Sequence, residues 1–194
     1  MKKISLVITA YNEQENVIEL HKQICSTIQD IEEYQFEILF IENGSQDSTF
    51  SNLKNIQATD KRVKIIKLSR NFGFDGGITA GIDLVEADAA VIMTSNLQDD
   101  PAVIPKFIDM WENGYEMVYG VVINRPGKSI LRRFNSKIFY SLINKLTGGL
   151  IPENVSDFRL IDRKVILALR EFKESNRFYR GFFSWVGFNT IGVD

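Results

Sequence analysis

The first 122 residues alternate between short apolar runs and longer segments with a helical apolar period. Within those segments apolar residues recur every three or four positions, as at Val17, Leu20 and Ile24, which predicts helices. The short runs are typical of strands buried on both faces of a sheet. They cover residues 4–9, 36–41, 63–68, 89–93 and 117–122.

Four of these strands are each followed by a helical segment, which predicts right-handed crossovers and a mainly parallel sheet flanked by helices. Asp47 or Ser48 can cap the second helix, and Pro101 suits the first turn of the fourth. The sequence therefore predicts a Rossmann-like α/β domain. Its helices are expected from Asn12 or Glu13, from Asp47 or Ser48 towards Ile56, over residues 76–85 and over residues 101–111.

The pattern changes after residue 122. Over residues 129–146 the apolar positions alternate with Arg132, Arg133, Lys137 and Lys145, which predicts a basic amphipathic helix. Further along, the chain predicts a short strand over residues 158–161, a helix over 164–171 and an aromatic-rich segment over 176–188.

The basic charge is concentrated in this second part of the chain. The formal net charge is −2, yet six basic residues and no acidic residue lie between Met117 and Pro152. Such localised charge indicates a local anionic partner rather than nucleic acid. The helix can face an anionic membrane surface, or it can pack on the sheet with a solvated basic face.

The rest of the composition is that of an ordinary globular domain, with 44% hydrophobic and 25% charged residues. No window approaches the ~20 apolar residues of a membrane span. Cys25 is the only cysteine, so it is predicted to be a reduced structural thiol. His21 is predicted to be a surface residue.

Polar loops follow the first four strands, at residues 10–13, 42–45, 70–73 and 94–100. The carboxyl ends of parallel strands form one edge of a sheet, so these loops should converge on a pocket. There Tyr11 can stack on a base, Glu42 and Asn43 can bond to its polar edge, Arg70 can approach phosphate, and Gly73 permits close backbone approach. Alternatively, Asn43 belongs to a simple turn and Arg70 is a surface cation. A Gly-x-Gly-x-x-Gly fingerprint is absent after the first strand, which argues against nicotinamide binding.

Six segments together resemble the motifs of family 2 inverting glycosyltransferases. The stretch 94–101, Thr-Ser-Asn-Leu-Gln-Asp-Asp-Pro, is similar to the signature Asp-x-Asp-Leu-Gln-Asp-Pro-Pro of the branch that glycosylates polyprenyl phosphate. Residues 8–13 and 41–49 resemble the openings Val-Pro-x-Tyr-Asn-Glu and Val-Asp-Asp-Gly-Ser-x-Asp-x-Thr. Residues 68–73 and 155–163 resemble the Leu-Ser-Arg-Asn-Phe-Gly and Gly-Asp-Phe-Arg-Leu-Met-Asp-Arg segments. Residues 176–185 are similar to the family's acceptor-side segment.

The resemblance implies a fold of the glycosyltransferase A type and transfer from a nucleotide sugar, UDP-linked, to polyprenyl phosphate with inversion. It also implies a Mg²⁺ or Mn²⁺ cofactor and work at the cytoplasmic face of the membrane. Residues 1–194 are then one catalytic domain, with a nucleotide-binding part over residues 1–122 and an acceptor-side part over 123–194. Larger members continue into membrane helices, so a membrane region beyond residue 194 is expected.

The same resemblance assigns residues to roles. The donor site takes two groups of three residues, with Tyr11, Glu13 and Asn43 near the nucleoside and Arg70, Asn71 and Gly73 lining the cleft. Asn96 and Gln98 are placed near the metal, Asp157 is implied as the catalytic base, and Arg159, Arg177 and Arg180 are placed near an acceptor phosphate.

The chain departs from the family pattern at three positions. Thr94 and Asn96 replace the two metal-binding aspartates, and Asn43 replaces another. Because a hard divalent ion prefers anionic oxygen ligands, these changes should lower metal affinity unless Asp99 or Asp100 compensates. Two hypotheses therefore stand: a transferase, metal-assisted or not, and a nucleotide-sugar-binding module that has lost turnover. For Asp157 the alternative is a structural ion pair with an arginine of its own segment, Arg159 or Arg163.

Overall fold

The structure is a computed structural model that describes residues 1–121, 155–172, 174 and 177–194. The basic helix predicted over residues 129–146, with its expected membrane face, lies outside the described residues. Seven strands are described: β1 (Lys2–Ala10), β2 (Tyr34–Glu42), β3 (Val63–Lys67), β4 (Ala89–Thr94), β5 (Met117–Val121), β6 (Val155–Asp162) and β7 (Thr190–Val193). The helices are α1 (Val17–Ile28), α2 (Thr49–Thr59), α3 (Gly73–Leu84), α4 (Ile104–Glu112), α5 (Arg163–Arg170) and α6 (Tyr179–Trp185).

The seven strands form one sheet in the order β3-β2-β1-β4-β6-β5-β7. Only β6 runs antiparallel to its neighbours β4 and β5, whereas the other pairs are parallel. The predicted mainly parallel α/β sheet is confirmed. The sequence did not predict that β6 would insert beside β4, nor that β7 would pair with β5. The second part of the chain therefore completes the sheet that the first part begins.

Both faces of β1 are buried, as its continuous apolar run predicted. Ile4, Leu6 and Ile8 pack in one core with α1, α2 and α4, while Val7 belongs to a second core with α3, α5 and α6. Alternate side chains of a strand point to opposite faces, so one strand can supply two cores. Among the described helices, none has both the length and the apolar character needed to cross a membrane.

Three helices begin at other residues than the sequence predicted. α1 begins at Val17 rather than at Asn12 or Glu13: Asn12 has a φ of 53°, outside the right-handed helical region, and the N–H groups of Glu13 and Gln14 donate to the side chains of Thr49 and Asp47. α3 begins at Gly73, three residues before the predicted start. Residues 101–103 form a 3-10 turn before α4, and the Asp100 carboxylate accepts a hydrogen bond from the Ala102 N–H at 2.9 Å.

α3 lies unusually close to the sheet because glycines face it. A Cβ placed on Gly81 would lie 2.3 Å from Cγ1 of Val7, and one on Gly77 would lie 2.9 Å from Cγ2 of Thr9. Both distances are well below van der Waals contact, so these positions tolerate no side chain at the present spacing. This close packing places the first turn of α3 against the carboxyl ends of β1 and β2.

We predict that Gly81→Ala lowers the free energy of unfolding by about 1–3 kcal/mol, the usual cost of overpacking. The stiff, buried Val7 side chain cannot rotate away, so this cost exceeds the gain in helix propensity of up to ~1 kcal/mol. Gly120→Ala is the matched control, because its new Cβ would meet its nearest neighbour at 3.6 Å. Denaturant unfolding checks both variants, and equal stability of the two would contradict the close approach.

Candidate active site

The four loops at the carboxyl edge of the sheet each contain one residue with positive φ. They are Asn12 (53°), Gly44 (72°), Gly73 (76°) and Leu97 (58°), four of the six such residues in the part of the chain that the structure describes. Asn12 and Leu97 carry side chains, and that conformation is sterically costly for them, most of all for leucine. Backbone strain of this kind concentrates at functional sites, so this edge is the first candidate.

The loops after β1 and β2 are bound to each other by hydrogen bonds. The Asn12 N–H donates to Ser45 Oγ at 3.1 Å, and Asn12 Oδ1 accepts from the Gln46 N–H at 2.9 Å. The Glu13 N–H donates to Thr49 Oγ1 at 2.8 Å, while the Glu13 carboxylate accepts from the Asn16 amide. Tyr11 is therefore presented to solvent, with 37% of its surface exposed, on a braced frame.

Asn43 supports the loop after β3 from below. Its Oδ1 accepts from the Phe72 N–H at 3.0 Å, and its Nδ2 donates to the Gly73 carbonyl at 2.9 Å. Asn43 is only 3% exposed, so its amide lies under the loop instead of at the nucleoside contact that the sequence suggested. The bond from Nδ2 to the Gly73 carbonyl requires an amide at this position, because an ionised carboxylate can only accept hydrogen bonds.

The neighbouring Glu42 and Gly44 fit the same tight arrangement. Glu42 is fully buried, and its Oε1 accepts from the Ser45 N–H at 2.5 Å. Its Oε2 has no hydrogen-bond partner among the residues that the structure describes, a costly state for a buried carboxylate. At Gly44 a Cβ would lie 2.6 Å from the Arg70 backbone, so only glycine lets the two loops meet.

A cleft of about 520 Å³ opens beside this supported loop. Arg70 and Arg177 both line it, although the sequence assigned one to the donor and the other to the acceptor. The Arg70 guanidinium stacks on the Phe72 ring at 4.0 Å, and Arg177 Nη1 donates to Asp83 at 3.0 Å and to the Tyr179 hydroxyl at 3.1 Å. Among the residues that the structure describes, the lining is Arg70, Asn71, Phe72, Gly73, Phe74, Asp75, Gly76, Thr79, Arg177 and Phe178.

The loop after β4 does not present Asn96 as a free metal ligand. The Thr94 hydroxyl lies 2.7 Å from Asn96 Oδ1 and 3.2 Å from Asp99 Oδ2, and the Gln98 N–H donates to Asn96 Oδ1 at 3.1 Å. The Asn96 oxygen is thus engaged within the loop by the Gln98 N–H, and the single Thr94 hydroxyl hydrogen can go to Asn96 or to Asp99. The Gln98 side chain is exposed. The carboxylate at this point is Asp99, which also accepts from the Ser156 hydroxyl at 3.3 Å.

Burial raises the pKa of Asp99, and the negative charge of Asp157 adds to this effect. A bound cation would offset both causes. Mg²⁺ and Mn²⁺ are held by one or two carboxylates together with substrate phosphates, so Asp99, with the Thr94 hydroxyl oxygen beside it, fits a divalent ion completed by a diphosphate. Within the described ranges, the cluster of three His, Cys, Asp or Glu side chains suited to a metal lies elsewhere.

Asp157 forms an ion pair with Arg180. Arg180 Nε donates to Asp157 Oδ1 at 3.1 Å, and Nη2 donates to Oδ2. The side chains are 28% and 30% exposed, so the pair is open to solvent. The alternative partners do not engage the carboxylate: Arg159 Nε bonds to the Asp157 backbone carbonyl, and Arg163 lies 3.8 Å from Glu86.

Arg159 lies inside the protein, whereas the sequence suggested that it contacts the acceptor phosphate. It is 3% exposed, its Nη2 donates to the Ser156 carbonyl at 2.9 Å, and its guanidinium stacks on the Phe183 ring at 4.0 Å. Burial lowers its pKa to about 10. Direct contact with an acceptor would require the side chain to leave this position, so Arg159 supports the backbone beneath Asp157.

Asp75 is a site residue that the sequence analysis missed. It lines the cleft, it accepts from the Tyr179 N–H at 3.2 Å, and burial raises its pKa, with a further contribution from Asp157. Asp75 therefore links the cleft with the Asp157–Arg180 pair. An acidic residue in the first helical turn after Gly73 was the available signal.

The sequence profile of glycosyl transferase family 2 matches residues 5–170, and the chain therefore belongs to this family. The bactoprenol glucosyl transferase of Shigella phage SfV is 37% identical over 192 residues, which cover 99% of this chain and 62% of that protein. An uncharacterized glycosyltransferase of Synechocystis is 36% identical over 98% of this chain and 60% of its own length. The chain thus spans about 60% of the length of these curated relatives.

Solved structures agree on the fold. A mannosyltransferase from Pyrobaculum calidifontis, in complex with GDP-Man and Mn²⁺, matches with a TM-score of 0.68 at 12% identity over 99% of this chain and 55% of that one. Glucosyl-3-phosphoglycerate synthase from Mycobacterium tuberculosis, with Mn²⁺, UDP and phosphoglyceric acid, matches with a TM-score of 0.62 at 17% identity over 84% and 57%. The predicted glycosyltransferase A type of fold is confirmed.

We predict that Asn43→Asp lowers the free energy of unfolding by about 1–3 kcal/mol, although it restores the family residue. The change removes the hydrogen bond to the Gly73 carbonyl and leaves a buried charge. Asn71→Asp is the matched control, because exposed Asn71 uses only its oxygen, which accepts from the Gly73 N–H at 2.7 Å. Chemical denaturation should separate the two variants, and an equal loss would refute the supporting role of Asn43.

Proposed function

We propose that this chain is the catalytic domain of an enzyme that transfers a sugar from a UDP-linked donor to polyprenyl phosphate with inversion. One observation carries the proposal. Two arginines predicted for phosphate contacts, Arg70 and Arg177, line a single cleft, and its wall residue Asp75 accepts a hydrogen bond from the Tyr179 N–H, next in sequence to the Arg180 that pairs with Asp157. A cleft with two arginines and a partly exposed carboxylate are thus connected through one short segment, which supports group transfer between two phosphate-bearing substrates.

The donor would lie along the cleft and the carboxyl edge of the sheet. Arg70 is held by its stacking on Phe72, so its guanidinium can meet the diphosphate with little loss of side-chain freedom. Tyr11 is exposed on the braced loop after β1 and offers a flat ring to the base. The positive φ of Gly73 brings backbone close to the sugar phosphate without a side chain in the way.

Asp157 would act on the acceptor. In an inverting transfer the attacking oxygen approaches the anomeric carbon opposite the leaving diphosphate, and a carboxylate there aligns it or takes its proton. A phosphate acceptor is already anionic, so alignment is the larger part of the task. Arg180 would release Asp157 in part and bind the acceptor phosphate, since one guanidinium can serve two anions.

A divalent ion, when bound, would neutralise charge that develops on the departing diphosphate. Asp99 would be its protein carboxylate, with the hydroxyl oxygen of Thr94 beside it. The structures solved with Mn²⁺ and a nucleotide or nucleotide sugar share this fold and support the use of a divalent ion. Asp99 also positions Ser156, whose hydroxyl accepts from the Phe158 N–H at 3.1 Å and so orders the strand that carries Asp157.

The lipid nature of the acceptor rests mainly on the relative named bactoprenol glucosyl transferase. The structure adds two exposed aromatic side chains in the acceptor-side part of the chain. Phe178 lines the cleft and is 46% exposed, and Trp185 at the end of α6 is 64% exposed. Together with the basic segment over residues 129–146, this surface suits work at the cytoplasmic face of an anionic membrane.

We predict that Asp157→Asn lowers kcat for transfer by ~10²-fold or more while UDP affinity stays within about twofold. Arg180→Gln breaks the same ion pair but keeps the carboxylate, so it should chiefly raise the KM for the lipid phosphate. Steady-state transfer assays, with UDP titration alongside, measure these quantities separately.

Two outcomes would overturn this assignment. Equal losses of kcat in the two variants would mean that Asp157 works only by holding Arg180. A large loss of UDP affinity in Asp157→Asn would move Asp157 to the donor site.

A second candidate function is a nucleotide-sugar-binding module without turnover. The occupied oxygen of Asn96 favours it, because the loop then offers a metal one carboxylate where family members use aspartates. Transfer and donor hydrolysis, assayed with Mg²⁺, with Mn²⁺ and with a chelator, separate the two candidates. UDP binding without turnover under every condition would select the binding module.

A further inference from the structure

A second cluster of ligand side chains lies away from the cleft, where α1 meets the turn after α2. His21 and Cys25 are one helical turn apart on α1, so they lie on the same face. Asp60 follows α2 directly and reaches across to both. The side chains of His21 and Asp60 are only 15% and 13% exposed, so His21 is not the surface residue that the sequence predicted.

The three candidate donor atoms have the spacing of a tetrahedral zinc site. His21 Nε2 lies 3.0 Å from Asp60 Oδ2, and Cys25 Sγ lies 3.4 Å from His21 Nε2 and 3.7 Å from Asp60 Oδ2. Usual Zn–N, Zn–O and Zn–S bond lengths at tetrahedral angles require about 3.4 Å between nitrogen and oxygen and about 3.6 Å from sulfur to either. All three distances agree to within about 0.4 Å.

The cluster already attracts a cation. Arg62 Nη2 lies 2.7 Å from Asp60 Oδ2 and 3.1 Å from Cys25 Sγ, so it contacts two of the three donor atoms. The Arg62 side chain is 40% exposed, so it can swing into solvent and leave a fourth position open. A metal ion there would replace one positive group with another.

The chain has one histidine and one cysteine, and both are in this cluster. Soft thiolate with imidazole selects Zn²⁺ over Mg²⁺ and Mn²⁺, which prefer oxygen ligands. The cluster is also separate from the cleft, because Asp60 follows the carboxyl-terminal end of α2, about 16 Å along the helix from the edge where Thr49 lies. The sugar-transfer reaction has no use for these residues.

We propose that His21, Cys25 and Asp60 form a Zn²⁺-binding site that ties α1 to the turn between α2 and β3. The ion would take three protein ligands and one water or exchangeable ligand in place of Arg62. It would stabilise the folded chain because the three ligands come together only on folding. This inference is independent of the proposed sugar transfer.

The test is a competition titration of the tag-free, reduced protein with Zn²⁺ and a chromogenic chelator. We expect one equivalent of Zn²⁺ per chain and a higher melting temperature with the ion bound. Cys25→Ser and His21→Gln should each weaken binding by at least about 100-fold, since loss of a residue that merely orients a ligand costs 10–100-fold. With Co²⁺ as the probe, a thiolate-to-metal absorption band should appear in the parent and be absent in Cys25→Ser.

Two further variants separate a metal site from a hydrogen-bonded brace. Arg62→Gln should tighten Zn²⁺ binding by roughly two- to fivefold, because it removes a competing cation whose ion pair has the strength of an exposed one. Asp99→Asn should leave Zn²⁺ affinity unchanged, which excludes binding at the cleft. If the parent binds less than one equivalent, or if Cys25→Ser and His21→Gln bind as tightly as the parent, the proposal is wrong. Equal Zn²⁺ affinity in Arg62→Gln and the parent would contradict the displacement of Arg62.

Discussion

The parallel pairing of β1 between β2 and β4 is the constraint on which the rest of the structure depends. Its register sets Ala10 beside Glu42 and Thr9 beside Thr94, so the strands end level with one another. The strand order reverses at β1, which opens a crevice at their carboxyl ends. The loops that leave this edge must turn sharply. This need accounts for their residues with positive φ and for the hydrogen bonds that hold the loops together.

The first part of the fold was predictable because burial on both faces leaves a simple record in the sequence. A run such as Leu6–Ile8 has no reason to be continuously apolar unless it is covered on two sides, and α1 shows a clear helical period. The sequence carries no comparable record of strand partners. β6 pairs across a long sequence separation in the opposite direction, and β7, over residues 190–193, is too short to show a period.

Site residues were predictable where residue type alone limits the chemistry, and less so where burial decides. The loop over residues 70–73 and Arg177 were singled out from the sequence, and they share a cleft. By contrast, Asn43 lies under that loop and Arg159 lies in the core. Their burial could not be predicted, since neither pattern nor motif reveals which side of the backbone a neighbour will cover. Burial also makes Asp99 rather than Asp100 the candidate metal ligand. Asp99 is partly buried beside Ser156 and is influenced by the charge of Asp157, whereas Asp100 is exposed.

Titration calorimetry of the 194-residue chain with UDP in the presence of Mn²⁺ tests the central claim most directly. The account predicts saturable binding that Arg70→Ala weakens by about tenfold, equivalent to about 1.4 kcal/mol. Lys67→Ala, which removes the same charge three residues earlier and outside the cleft, should bind UDP as the parent does. Absence of binding at millimolar UDP, or equal losses in the two variants, would contradict a nucleotide site at this edge of the sheet.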